Sequence, residues 1–216
     1  MRAVAFDMDG VLVDSEDYWE PRETADLLPR VVPDAEIGLA EITGMNYRDI
    51  YDYLAAEYDV AVPKAEFLAW YEAAAEEIYG EAVSLLPGAA GLIADLRAAG
   101  VPVALVSSSP VAWIEMVTDR FGLTFDAVVS ADAFDGPGKP APDLYAHAAD
   151  RLGVPPADLL AVEDSVHGIE AARAAGATVL GFRHGDAHGT DFAAADAVAE
   201  SPAALRRAIR ERTGLR

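Results

Sequence analysis

The strongest constraint on the fold is a short apolar segment, Arg2 to Phe6, that runs straight into Asp7-Met8-Asp9-Gly10. It is too short for a helix and suits a strand buried on both faces of a parallel sheet. Such a strand needs neighbours, and the residues that follow it do not supply them. From Glu16 to about Ser84 the spacing is helical, with aromatic residues recurring on one face. Four helices are expected there: Glu16 to about Arg30, with Pro21 near its start; Asp34 to Ile42, stopping at Gly44; one capped by Asn46; and one opened by Pro63.

Alternation of strand and helix begins after Leu85-Leu86-Pro87-Gly88 and continues to the end. Strands are expected at Pro102–Val106, Ala127–Ser130, Leu159–Val162, Thr178–Phe182 and Ala197–Ala199. Helices are expected at Ala89–Ala99, Pro110–Phe121, Pro142–Leu152, Val166–Ala175 and Pro202–Arg212. This order predicts an α/β fold, a Rossmann-like parallel sheet with helices on both faces, interrupted by an inserted all-α four-helix cap. Residues 1–14 and 87–216 would form the core domain and 15–86 the cap.

In open α/β sheets the carboxyl ends of the strands form the ligand crevice, which places Asp7 and Asp9 where chemistry is done. An EF-hand loop is excluded: that pattern needs three alternating oxygen ligands before its Gly and a Glu six residues after it, and here Gly10 is followed by Val11, Leu12 and Val13. Three more segments end at the same crevice. Ser107-Ser108-Ser109-Pro110 combines hydroxyls with the free N–H groups of a helix start, a site for phosphate. Lys139 lies in a loop stiffened by Pro137, Pro140 and Pro142. Glu163 and Asp164 are adjacent carboxylates at a strand end, costly unless something positive sits between them and their neighbours. Four carboxyl groups around one crevice call for a hard divalent cation, and Mg²⁺ is the natural one.

The charge balance narrows the partners. Thirty-seven acidic residues against 16 basic give a net charge of −21, which argues against nucleic acid. Lys64 and Lys139 are the only lysines; the other basic residues are arginine. This acidic, lysine-poor, alanine-rich bias resembles that of proteins from halophilic archaea. With 52% hydrophobic and 25% charged residues, no cysteine, and no apolar run of membrane-spanning length, the chain is expected to be a soluble cytoplasmic protein that does not bind membranes.

Together, D-M-D-G-V-L-V-D-S, L-V-S-S-S, G-K-P-A-P-D and V-E-D-S-x-x-G resemble the four motifs of the haloacid dehalogenase-like superfamily, in order and across the whole chain. The insertion after the first motif resembles the subclass I cap, and the closest pattern is the β-phosphoglucomutase and phosphoglycolate phosphatase-like branch. The resemblance implies Asp7 as nucleophile and Asp9 as general acid and base. It implies phosphate binding by Ser107, Ser108 and Lys139, and Mg²⁺ held by Asp7, Asp9 through its carbonyl, Glu163 and Asp164. Arg48, in the Gly44–Arg48 loop, and Trp19, where mutases of the branch carry histidine, are the candidate substrate contacts from the cap. The expected function is Mg²⁺-dependent hydrolysis of a small phosphorylated metabolite by a monomer or weak homodimer. A sugar phosphomutase and a non-catalytic binding protein remain as alternatives.

Overall fold

The computed structural model describes residues 1–42, 45–183 and 190–215. Its centre is β1 (Ala3–Phe6), a strand with every residue buried. Around it lie β2 (Val103–Ser107), β3 (Ala127–Ser130), β4 (Leu159–Glu163), β5 (Thr178–Phe182) and β6 (Ala197–Ala199), in the order β3-β2-β1-β4-β5-β6 with every pairing parallel. The chain leaves β1 towards β2 and β3, then returns to its other side with β4. A crevice therefore opens at the carboxyl ends of β1 and β4.

Side-chain alternation gives the two faces of the sheet different characters. Val4 and Phe6, with Leu105, Leu160 and Val162 on neighbouring strands, belong to one apolar cluster. Ala3 and Ala5, with Ala104 and Ala161, belong to another, where small residues let helices approach closely.

The segment between β1 and β2 is helical. A first helical stretch runs through α1 (Glu16–Arg22), a π-helical turn (Glu23–Leu27) and α2 (Leu28–Val31). Pro29 has no N–H to offer the Ala25 carbonyl and its ring crowds that carbonyl, which accounts for the widened turn before it. Next come α3 (Tyr47–Glu57), capped as expected by Asn46, and α4 (Lys64–Glu77), which ends in a second π-helical turn (Ile78–Ala82). The helix expected over Asp34 to Ile42 does not form. Only a 3-10 turn, Leu39–Glu41, is present, because Gly38 is extended and Glu41 folds back to accept its N–H at 3.1 Å. So short a stretch cannot repay the cost of nucleating an α-helix. Gly44, the expected stop of that helix, lies outside the described residues.

Of the remaining helices, α5 (Ala89–Ala98), α6 (Val111–Phe121) and α9 (Pro202–Thr213) contribute Leu96, Trp113 and Ile209 to the cluster containing Phe6. Helices α7 (Asp143–Leu152) and α8 (Val166–Ala174) contribute Ala148 and Ala172 to the cluster containing Ala5. Phe67, Leu54 and Tyr71 of the inserted helices belong to the same cluster as Phe6, so the insert and one face of the sheet share a continuous apolar core. Trp19 stacks on Trp113 at 5.6 Å between ring centroids, worth about 0.5–1.5 kcal/mol beyond the area the rings bury. The two chain crossings lie side by side: Val13 bridges Leu85 antiparallel, the Leu86 N–H donates to the Leu12 carbonyl at 2.8 Å, and the Ser84 N–H donates to Asp14 Oδ1 at 2.6 Å.

Candidate active site

Asp7 is the first residue beyond β1, and its N–H still donates to the Val162 carbonyl of β4 at 3.0 Å. That bond fixes the start of its side chain at the crevice. Lys139 Nζ donates to Asp7 Oδ1 and to Glu163 Oε1, both at 2.6 Å. The Tyr145 hydroxyl donates to Glu163 Oε1 at 2.5 Å, and the Ser165 hydroxyl to Glu163 Oε2 at 3.2 Å. Glu163 is wholly enclosed, so it anchors the lysine. Burial opposes the Lys139 ammonium, yet the Asp7 and Glu163 carboxylates outweigh it and push its pKa above the ordinary lysine value. Burial raises the pKa of Asp7 well above the usual carboxylate range, with Lys139 pulling it down and Glu163 and Asp9 adding to the rise. Asp164 is raised too, first by burial and then by Asp7, Glu16 and Glu163.

Asp9 is held differently. Its Oδ1 accepts from the Ser15 and Tyr79 hydroxyls, each at 2.6 Å, and its Oδ2 from the Ser109 hydroxyl at 2.9 Å. Trp19 Nε1 in turn donates to the Tyr79 oxygen at 3.0 Å. The Asp9 carboxylate, on the loop after β1, thus joins the residue before α1, the π-helical turn after α4 and the loop after β2.

The phosphate-binding candidates divide. Ser108 lines the cavity beside Asp7. Ser107 is buried at the end of β2, where its Oγ accepts the Ser109 N–H at 3.0 Å and shapes the turn. Asn46 Nδ2 donates to the Ser108 carbonyl at 2.7 Å and ties the insert to this loop.

The cavity has a volume of about 90 Å³, room for about three water molecules at the density of the liquid. Trp19 lines it. Arg48 does not: its guanidinium turns away to an ion pair with Asp132, beyond β3, and so clasps the insert to the sheet. Helix α3 starts at Tyr47, which puts Tyr47 and Ile50 on the cavity side.

Carboxyl oxygens of Asp7, Glu163 and Asp164 lie within 4.8 Å of one another. A Cβ on Gly10, whose φ is +67°, would stand 1.8 Å from Asp164 Oδ2, and one on Gly168 would stand 2.1 Å from the Glu163 oxygens. Both glycines let the acidic side chains lie flush against backbone. Three carboxyls sharing one lysine leave an excess of negative charge at hard oxygen donors, which fits a divalent cation of the Mg²⁺ type. The Asp9 carboxylate is occupied by its three hydroxyl donors, leaving its backbone carbonyl for such an ion.

Sequence reasoning passed over Tyr79, Tyr145, Glu16 and Glu23. A signal existed for the glutamates: with Trp19 they fall at i, i+3 and i+7, on one helix face. Acidic residues on the face that carries a core tryptophan mark a polar cavity. Tyr145 gave no signal, since its partner Glu163 lies on another element.

The chain belongs to the haloacid dehalogenase-like hydrolase family, whose pattern it matches over residues 1–176. Among curated proteins it is 34% identical over 192 residues to hexitol phosphatase B of Escherichia coli K12, covering 80% of this chain and 79% of that protein. Among solved structures it resembles a HAD family hydrolase from Deinococcus radiodurans with bound phosphate and sodium, at 36% identity and TM-score 0.71, covering 100% of this chain and 97% of that one. It also resembles CbbY of Rhodobacter sphaeroides in complex with phosphate, at 26% identity and TM-score 0.77, covering 93% and 94%.

Proposed function

We propose that this hydrolase cleaves a small phosphomonoester through an aspartyl-phosphate, with residues 15–86 acting as a cap over the crevice. The observation that carries the reading is the Asp7–Lys139–Glu163 array at the ends of β1 and β4. An Asp7 carboxylate oxygen attacks phosphorus, the bond from phosphorus to the ester oxygen breaks, and Asp9 gives its proton to the leaving oxygen. Asp9 then takes a proton from water as the water oxygen attacks the same phosphorus, and the Asp7–phosphorus bond breaks to release inorganic phosphate. Lys139 and Ser108, with the N–H groups that follow β2, hold the phosphoryl oxygens. Asp7, Asp164, the Asp9 carbonyl and Glu163 would hold Mg²⁺, which when bound offsets charge on the transferring group.

Among the described residues, Lys139 is the one cation lining the cavity. A mutase must grip a sugar phosphate at either end, and Lys64 cannot help because it pairs with Asp52 at 2.6 Å on the surface. The geometry therefore favours hydrolysis. The test is Asp7→Asn with a generic phosphate ester and Mg²⁺. Loss of phosphate release by at least about 10³-fold is expected; unchanged release removes Asp7 as nucleophile. The acidic composition supports adaptation to concentrated salt, with a cytoplasm rich in KCl as the working medium.

A further inference from the structure

The phosphoryl chemistry leaves two cavity residues without a task, Glu16 and Glu23, both contributed by the first helical stretch of the insert. Glu16 makes no side-chain hydrogen bond or ion pair with a described residue, while Glu23 accepts one bond, from the Tyr71 hydroxyl at 2.9 Å. The helix dipole alone does not explain Glu16, because exposed Asp17 in the same turn meets that preference. Glu23 sits in a π-helical turn, as does Tyr79 in the other one, and each widened turn carries a polar side chain to the cavity. Between the two glutamates, Trp19 stacks on Tyr71 at 5.4 Å and on Trp113 at 5.6 Å, forming an aromatic wall.

We propose that Glu16 and Glu23 choose the leaving group: they accept a short chain that donates hydrogen bonds, through hydroxyl or amino groups, and reject one that carries a carboxylate or a second phosphate. This rests on the hydrolase reading above. Apart from Lys139, which holds Asp7 and Glu163, no described cation lines this cavity to receive a second anion, and Arg48 pairs with Asp132. Burial and the neighbouring carboxylates push Glu16 up to about 8, and burial pushes Glu23 up to about 7. A protonated carboxyl still pairs with a hydroxyl, and an ammonium group draws it back to carboxylate. An added anion is disfavoured in either case: a neutral carboxyl leaves its charge uncompensated in the cavity, and an ionised one repels it. With a glutamate ionised, one such like-charge pair at about 6 Å and an effective dielectric of about 20 weakens binding by roughly 100-fold. The aromatic wall adds favourable contact for CH groups or for an ammonium.

The test compares kcat/KM of the full chain with Mg²⁺ for glycerol phosphate, phosphoethanolamine and phosphoglycolate, in the native protein and in Glu16→Gln and Glu23→Gln. Assayed at about pH 9, above the pKa of about 8 of Glu16 and of about 7 of Glu23 so that both are ionised, glycerol phosphate or phosphoethanolamine should exceed phosphoglycolate by roughly 100-fold, and each Gln variant should shrink that ratio by about tenfold, chiefly through KM for phosphoglycolate. Because the ratio is taken on one preparation, a partly folded variant cannot imitate the effect. The faster of the first two substrates identifies the donor as hydroxyl or ammonium. Phosphoglycolate turned over as well as both, or a ratio unmoved in both variants, overturns the proposal. Absence of release from every ester, p-nitrophenyl phosphate included, overturns the hydrolase reading on which it rests.

Discussion

Replacing Glu23 by Gln should stabilise the protein at neutral and alkaline pH and do little near pH 4.5. Burial is the main cause of the rise in the Glu23 pKa from 4.5 to about 7; the Tyr71 hydrogen bond opposes it and Glu20 adds to it. A carboxyl whose folded pKa is raised binds its proton more tightly in the native state. Its contribution to stability is therefore complete below the unfolded pKa and is lost as pH rises through the folded one. The window runs from 4.5 to about 7, and each pKa unit corresponds to about 1.4 kcal/mol. The full shift is worth ~3 kcal/mol, and because Glu23 is only half-buried, solvent screening reduces this to about 2 kcal/mol. Glutamine keeps an acceptor for the Tyr71 hydroxyl and has no proton to lose. Urea unfolding of both proteins across pH 4.5 to 8.5 isolates the effect as the difference between two profiles. The curves should coincide at the acid end and diverge by about 2 kcal/mol at the alkaline end. Parallel profiles would show that Glu23 does not sit in the desolvated cavity wall described above.

Three further outcomes follow from the same geometry. Lys139→Met leaves Asp7 and Glu163 enclosed without their cation, so a loss of about 3–5 kcal/mol in urea is expected, partly restored by millimolar Mg²⁺, together with loss of phosphate release. Tyr79→Phe removes a donor from Asp9 and orphans Trp19 Nε1; it should lower stability by about 1.5–3 kcal/mol and reduce kcat more than it changes KM. Activity should rise between dilute buffer and molar KCl, because at 1 M salt the Debye length falls to about 3 Å and the surface no longer repels a phosphate ester; a monotonic fall with salt would refute the proposed adaptation to concentrated salt.

Much of this protein was legible in the order of its residues. The short apolar strand before Asp7 could only be buried, the alternation after Gly88 could only be wound into a parallel sheet, and a sheet of that kind gathers the ends of its strands. Asp7 and Asp164, far apart in the chain, are brought together by that rule, and Lys139 reaches Asp7 from the loop between β3 and α7. What the sequence could not decide is where long side chains turn once several elements compete for them. Arg48 had an anion waiting at Asp132, on an element 84 residues away, and so left the cavity. Residues 34–42 have helical composition, but Gly38 is extended and the Glu41 side chain took its N–H instead. Glu16, Glu23 and Tyr79 acquire their meaning only from the crossing of the insert over the sheet. Local spacing fixes which element a residue joins; the partner of a polar side chain, and hence its charge and its task, is set by what tertiary packing brings within hydrogen-bond reach.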